Sequence, residues 1–257
     1  MTRCFKWLID QSGAVAFMAG LLALWQILSY YELISPLFFP SPARTFSTLW
    51  TQLLDGQIWP PTLATVMRMV YGWVAASIFG VILGALIARS MLAQGLLNPI
   101  LEFMRPMPAS AFIPVAILAF GLTNQMSTTI IAFGSLWPVL LAAIQGFRSV
   151  DERLYEVADA LRLSARERFF KVALPSALPD IMAGARVGLA VALILAVVTE
   201  MQASLPGLGQ NILTAQRAFR TPELYASVIM LGVIGFVASG LLHWCERHTL
   251  RWRQAHG

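Results

Sequence analysis

The charged side chains Arg68, Arg105, Arg186 and Glu200 fall inside long apolar runs of this 257-residue chain. A charge within a membrane-type segment costs about 2.5–3.5 kcal/mol on insertion scales, so each needs a structural or chemical reason. Arg105 opens the stretch RPMPASAFIP, in which Pro106, Pro108 and Pro114 interrupt an apolar run. Irregular backbone at membrane depth is tolerated only against protein or a wet cavity. A guanidinium held there attracts an anion; pairing with Glu102 is the competing account. Arg105, Met107 and the serine beside Ala109 (Ala109-Ser110) are therefore candidates for a translocation pathway. A second group, Thr199-Glu200-Met201-Gln202, ends another apolar run and is the expected outer gate. Arg68 and Glu200 lie near the ends of their runs, where they can snorkel toward water. Anchoring of one helix to another is the structural alternative for Arg68 and Arg186.

The residues for other chemistries are missing from the sequence. No G-x-x-x-x-G-K-[ST] phosphate loop occurs, so any ATP has to be bound by another polypeptide. No Ser/His/Asp or Cys/His arrangement sits at a plausible site, and the chain reads as non-catalytic. Cys4 and Cys245 lie near opposite ends, and neither has metal-ligand spacing with His243, His248 or His256. We expect no disulfide, no metal and no cofactor on this chain.

The elements that position these residues are helices in a bilayer. The chain is 58% hydrophobic and 12% charged, with mean hydropathy +0.69; soluble domains carry about 25% charged residues. Apolar runs near 12–31, 63–88, 94–121, 127–147, 177–201 and 224–245 are each long enough to cross about 30 Å of hydrocarbon. The basic N-terminus resembles a signal peptide, but no A-x-A-like site follows, so it reads as a retained first helix. The net charge of +5 is a matter of topology, and no basic stripe suited to nucleic acid is visible. With the N-terminus inside, Arg3, Lys6, Arg89, Arg148, Arg153, Arg162, Arg166, Arg168, Lys171, Arg247, Arg251 and Arg253 are cytoplasmic. Only Arg44, Arg217 and Arg220 fall outside. The expectation is an all-α integral membrane protein of six transmembrane helices, a single domain over 1–257 with both termini cytoplasmic. Around SPLFFPSPARTF the outer loop is expected to lie along the membrane surface, and a short helix is expected from about Gln210. Gly80-x3-Gly84 and Gly184-x3-Gly188 predict close helix approach. Met104, Met107, Met126 and Met201 are either adaptable gate residues or ordinary packing.

One insert departs from this pattern. Between two apolar runs, Glu156, Asp159, Arg162, Arg166, Glu167, Arg168 and Lys171 crowd together in the predicted cytoplasm. Ser149/Glu152 and Ser164/Glu167 have capping-box spacing and predict two short helices with a corner near Leu163. Val150, Leu154, Val157, Ala158 and Leu161 follow one helical face. Such a face can lie in lipid headgroups or dock in a partner's groove, and the pattern alone leaves both open.

The segment EVADALRLSARERFFKVALPSALP resembles the cytoplasmic EAA loop of ABC importer permeases, E-A-A-x3-G-x9-I-x-L-P. Glu156, Ala158, Leu174 and Pro175 are in register, Val157 and Val172 are mild replacements, and Arg162 stands where the family has glycine. FPSPARTF, RPMPASAFIPVAILAFGLTNQ, GFRSVDERLYEVA and PGLGQNI extend the likeness to the nitrate, sulfonate and taurine branch. The resemblance implies a type I importer bundle in the bacterial inner membrane and a coupling segment over 149–175. Glu156, Val157, Ala158, Asp159, Leu161, Arg162, Leu174 and Pro175 are its candidate ATPase contacts. It further implies two ATPase subunits carrying ATP and Mg, a second permease copy as homodimer, and a periplasmic or lipid-anchored substrate-binding protein. A small anion is the implied substrate, with a pyrimidine precursor as the alternative. A secondary transporter or channel, or a docking scaffold, are the rival classes. The first of these predicts ionisable midplane residues and inverted halves, which this pattern fits poorly.

Overall fold

The computed structural model describes residues 2–31, 35 and 37–250, with side chains from residue 16 onward except that of Ala93. The side chains of Arg3, Cys4 and Lys6, and the residues Arg251, Arg253 and His256, lie outside that description. All regular elements among the described residues are helices, with no strand. They form two compact units: Met1–Pro60 with Asn211–Met230, and Pro61–Gln210 with Leu231–Gly257.

The first unit contains α1 (Thr2–Tyr30) and α2 (Pro42–Leu54). From residue 16 onward α1 provides an apolar helix, Ala16–Tyr30, shorter than a full crossing; the expected span over 12–31 is described only in that part. Ser41 caps α2 through the Arg44 N–H, with Pro42 in the first turn where its missing donor is harmless. Phe46, Trp50 and Leu54 recur every fourth residue and are all exposed. That apolar stripe suits a helix lying along a bilayer surface.

The second unit is built on α3 (Trp59–Arg89), α6 (Asn124–Arg148), α9 (Leu174–Ala203) and the later part of α11 (Thr221–Thr249). Half of α6's apolar window is buried against 28% for α3, which makes α6 the central helix. Close packing on both its faces depends on missing side chains. A Cβ at Gly80 or Gly84 would meet Val139 or Ala143, and one at Gly184 would press on the Pro138 carbonyl oxygen. Both small-residue pairs predicted from the sequence thus lie in tight helix–helix seams. Trp73 adds a hydrogen bond from its indole N–H to the Ala185 carbonyl, 2.8 Å.

Among the described residues, four helices are long and apolar enough to cross a membrane, or five if a bent pair counts as one span. That pair is α4 (Met91–Met104) with the 3-10 turn Ala109–Phe112 and α5 (Ile113–Phe120), bent by 85°. The break falls at Arg105–Pro108, where proline nitrogens donate no hydrogen bond. The run expected over 94–121, with its interrupting prolines, is therefore two arms.

Between α6 and α9 the polar segment folds as α7 (Glu152–Ala160) and α8 (Ala165–Arg168). One expected cap is corrected. Ser149 is the last residue of the α6 end, donating to the Gly146 carbonyl, and Asp151 caps α7 by accepting from the Arg153 N–H. An N-cap needs extended backbone; Asp151 has it (φ −62°, ψ 128°) and Ser149 does not (ψ 0°). The Ser164/Glu167 capping box is formed as expected. A π turn at Phe169–Ala173 carries α8 directly into α9, with Leu174 N–H donating to the Phe169 carbonyl. Pro175 therefore enters a helix already under way, and the widened turn accommodates its missing donor.

Candidate functional site

Three places in the second unit bring the sequence candidates together. The first is a buried ionic centre. Glu200 has no exposed side-chain surface and Arg68 has 8%. Glu200 Oε1 accepts from Arg68 Nη1 at 2.7 Å, and Arg68 Nε donates to Asn124 Oδ1 at 2.9 Å. The other carboxylate oxygen, Oε2, accepts from the Gly209 N–H at 2.9 Å and lies 3.0 Å from the Thr65 hydroxyl. Thr65 Oγ1 in turn accepts from the Leu208 N–H at 3.0 Å. These two N–H groups open α10 (Leu208–Arg217), whose first-turn donors have no partner within the helix. A carboxylate at that end also complements the helix dipole. The glycines of PGLG make the approach possible, since a Cβ on Gly207 would overlap the Glu200 carboxylate and one on Gly209 the Val197 carbonyl oxygen.

The same centre takes Thr199 out of solvent. Its hydroxyl donates to the Ala196 carbonyl at 3.0 Å and lies 2.6 Å from Ser127 Oγ, leaving Ser127 as donor. Snorkelling is thus not what Arg68 and Glu200 do. The low dielectric makes an unpartnered charge so costly that the two pair across 132 residues of sequence. Of the four residues Thr199–Gln202, two belong to this sealed cluster, Met201 is half-buried, and Gln202 is exposed. Arg186 pairs instead with Glu246 on α11.

The second place is a cavity of about 690 Å3 walled by the α4–α5 break, α6 and α9. Arg105, Met107, Ala109 and Ser110 all line it, opposite residues such as Trp137 and Val191. Arg105 is exposed, and no ion pair joins it to Glu102 among the described residues. One guanidinium set in a mainly apolar wall can draw in an anion while leaving room for an apolar body. The α6 and α9 walls carry no sequence signature of their own, because an inward-facing Trp or Val reads as ordinary span.

The third place is the polar segment. The Leu163 N–H bonds the Ala158 carbonyl and the Arg162 N–H the Asp159 carbonyl, a Schellman closure of α7. Arg162 occupies its left-handed position with φ 52°, the conformation that favours glycine. Arg168 bridges the corner, donating to the Leu163 carbonyl at 3.0 Å and pairing with Asp159. Stacking of Phe147 on Phe169, 5.8 Å between centroids, ties the segment to α6. Ala158 is 1% exposed and packs inward, whereas Leu154, Val157 and Leu161 are 44%, 56% and 67% exposed. At spacings of three and four residues these three share one face of α7. Glu156 is exposed, and Leu174 and Pro175 are half-buried where α9 begins. The face expected from the sequence is therefore split, with Val150 and Ala158 buried and the other three uncovered.

Residues 76–251 match the family described as binding-protein-dependent transport system inner membrane component. The putative aliphatic sulfonates transport permease protein SsuC of Bacillus subtilis is 30% identical, with 93% of this chain and 86% of that protein covered. The taurine transport system permease protein TauC of Escherichia coli is also 30% identical, over 98% of this chain and 94% of that one. The bicarbonate transport system permease protein CmpB of Synechococcus elongatus is 28% identical, over 96% and 93%. Among solved structures, the inward-facing MetNI methionine ABC transporter aligns with TM-score 0.64 at 16% identity, covering 77% of this chain and 98% of that chain. An amino acid ABC transporter aligns at 0.60, also with 16% identity, over 79% and 97%. At that identity the likeness shows the fold. It is the fold of ABC importer permeases, and members of this family work with separate ATPase and substrate-binding components. With most of its length matched both to the family and to these permeases, the chain belongs to the binding-protein-dependent transport system inner membrane components, as the transmembrane permease subunit of an ABC importer.

Proposed function

We propose that this permease works as one half of a homodimer with two ATPase subunits, importing a small anion such as an aliphatic sulfonate, taurine or nitrate. In this reading the chain is a single domain of six spans with both termini in the cytoplasm. ATP and Mg reside on the ATPase, and a periplasmic or lipid-anchored protein delivers the substrate. The uncovered stripe Leu154, Val157 and Leu161 meets the ATPase, with Glu156, Asp159 and Arg162 at its margin. Ala158, Leu174 and Pro175 hold the stripe in place from behind. The cavity beside Arg105, Met107 and Ser110 belongs to the pathway, and Met201 and Gln202 to its outer mouth. Glu200 acts by holding the Leu208–Gly209 start of α10, and Thr199 by tying α9 to Ser127 of α6.

The observation that carries the reading is the contrast on α7. A nine-residue helix, capped at both ends, leaves its large apolar side chains uncovered, an arrangement that asks for a partner surface. Co-purification with the cognate ATPase and ATP-driven uptake in liposomes test it. We expect a stable complex and uptake that stops without ATP. Absence of both would reject the reading. Thermal-shift screening of the cognate binding protein against sulfonates, taurine, nitrate and pyrimidine precursors identifies the solute.

A further inference from the structure

A recess of mixed polar and apolar lining lies where the ends of α3 and α6 meet the start of α4 and α7. It encloses about 450 Å3 and is lined by Arg89 and Arg148 together with Gln94, Glu152 and Tyr155. Both guanidiniums are exposed, and neither has an ion-pair partner among the described residues. Glu152 is the carboxylate of the lining, so two positive charges face one negative. An apolar strip leads to this recess. Ile82, Leu86 and Arg89 follow at four and three residues on one face of α3, and Ile82 and Leu86 are 51% and 62% exposed. Met91, on the rim of the recess, is 89% exposed.

Free guanidiniums at the head of an apolar strip match a ligand with an oxyanion at one end and a hydrocarbon chain at the other. Basic recesses between helices on the cytoplasmic side are suited to anionic headgroups, and guanidinium binds phosphate through paired N–H donors. We propose that Arg89 and Arg148 form a phosphate-oxyanion site filled by the headgroup of an anionic phospholipid, whose chain lies along Ile82 and Leu86. Free phosphate would satisfy the guanidiniums but make no use of the strip. Glu152 and Tyr155 belong to the recess and to α7, so the bound lipid touches the helix assigned to ATPase docking. The inference rests on the reading above, in which this end of the unit faces the cytoplasm.

The test uses the assembled importer in nanodiscs containing phosphatidylglycerol and phosphatidylcholine, with retained lipid counted by native mass spectrometry after detergent extraction. Each basic side chain near an anionic surface contributes about a factor of five, so R89Q/R148Q should lower phosphatidylglycerol affinity about 25-fold. Arg217→Gln, which removes a guanidinium elsewhere, should not. Equal retention by the double variant, or an equal loss in Arg217→Gln, overturns the site. Inorganic phosphate that displaces phosphatidylglycerol at equal concentration shows that the strip adds nothing and overturns the lipid assignment. Photoreactive phosphatidylglycerol on the wild-type importer needs no variant to fold. Crosslinks should map to 82–94 and 147–155, and crosslinks confined to other segments would reject the proposal. ATP-driven uptake measured on the same preparation separates the two readings: intact uptake with unselective lipid retention sinks this site alone.

Discussion

Glu200 and Glu156 are both carboxylates near the end of a polar cluster, yet their surroundings are opposite. Around Glu200 the polar groups turn inward: Arg68, Thr65 and the Gly209 N–H converge on one buried carboxylate. Along α7 and α8 the charges lie outside, and the large side chains left uncovered are apolar. Surface pairs such as Lys171–Glu167 contribute about 0–1 kcal/mol, whereas breaking a buried pair costs about 3–5 kcal/mol. The Glu200 centre is therefore closed on itself, and the polar segment is open to contact with something else. Charge density in a sequence does not distinguish the two; burial does.

The largest expected effect separates them most sharply. Glu200→Ala strands Arg68 in the interior and should destabilise the permease by about 3–5 kcal/mol, read as a lower unfolding temperature in detergent. The double change R68M/E200L removes both charges and should recover most of that loss. If it is no better than Glu200→Ala, the loss comes from the carboxylate's bonds to Thr65 and Gly209 rather than from a stranded Arg68. Next in size, Gly209→Ala drives a methyl group toward the Val197 carbonyl oxygen and should cost about 1–3 kcal/mol. The same measurement on Gly232→Ala, where a Cβ meets nothing within 4 Å, should show no such loss.

At the other region the expected stability changes are smaller. Replacing Arg162 by glycine relieves a side chain from the left-handed corner and should stabilise it by about 1 kcal/mol. A lower midpoint for that variant would mean that the Arg162 side chain itself holds the corner. Smallest in stability are Leu154→Gln and Val157→Asn, which alter exposed positions and should shift unfolding by no more than about 0.5 kcal/mol. Their effect should appear as ATP-driven uptake lost from a folded permease. Charge reversal at Glu156 belongs with them. A bulky residue at Ala158 does not, because that position is buried; Ala158→Leu tests packing and should lower stability as well as uptake. Equal uptake by all the exposed variants would remove the docking role of α7.

Much of the fold was legible because its signals are local. Apolar runs, the prolines after Arg105, the Gly80/Gly84 and Gly184/Gly188 seams and the Ser164/Glu167 box all act within a few residues of their cause. The N-cap of α7 was misread for the same reason: Ser149 and Asp151 both carry suitable side chains, and backbone angles choose between them. The Glu200 centre left only a faint trace, in the glycine pair Gly207 and Gly209, because its partners come from Thr65, Arg68 and Asn124, far away along the chain. The cavity wall was hidden because residues facing it are as apolar as those facing lipid.

The sequence by itself determined a helical membrane protein, a broken third run and a charged insert resembling a coupling loop. Hydropathy and helical period are properties of neighbours along the chain. Tertiary structure alone decided which charges are sealed and which are presented. It paired Arg68 with Glu200, turned Ala158 inward, left Leu154, Val157 and Leu161 uncovered, and gave Arg162 the corner that glycine favours. Those outcomes depend on burial and partner geometry, which only the packed helices supply.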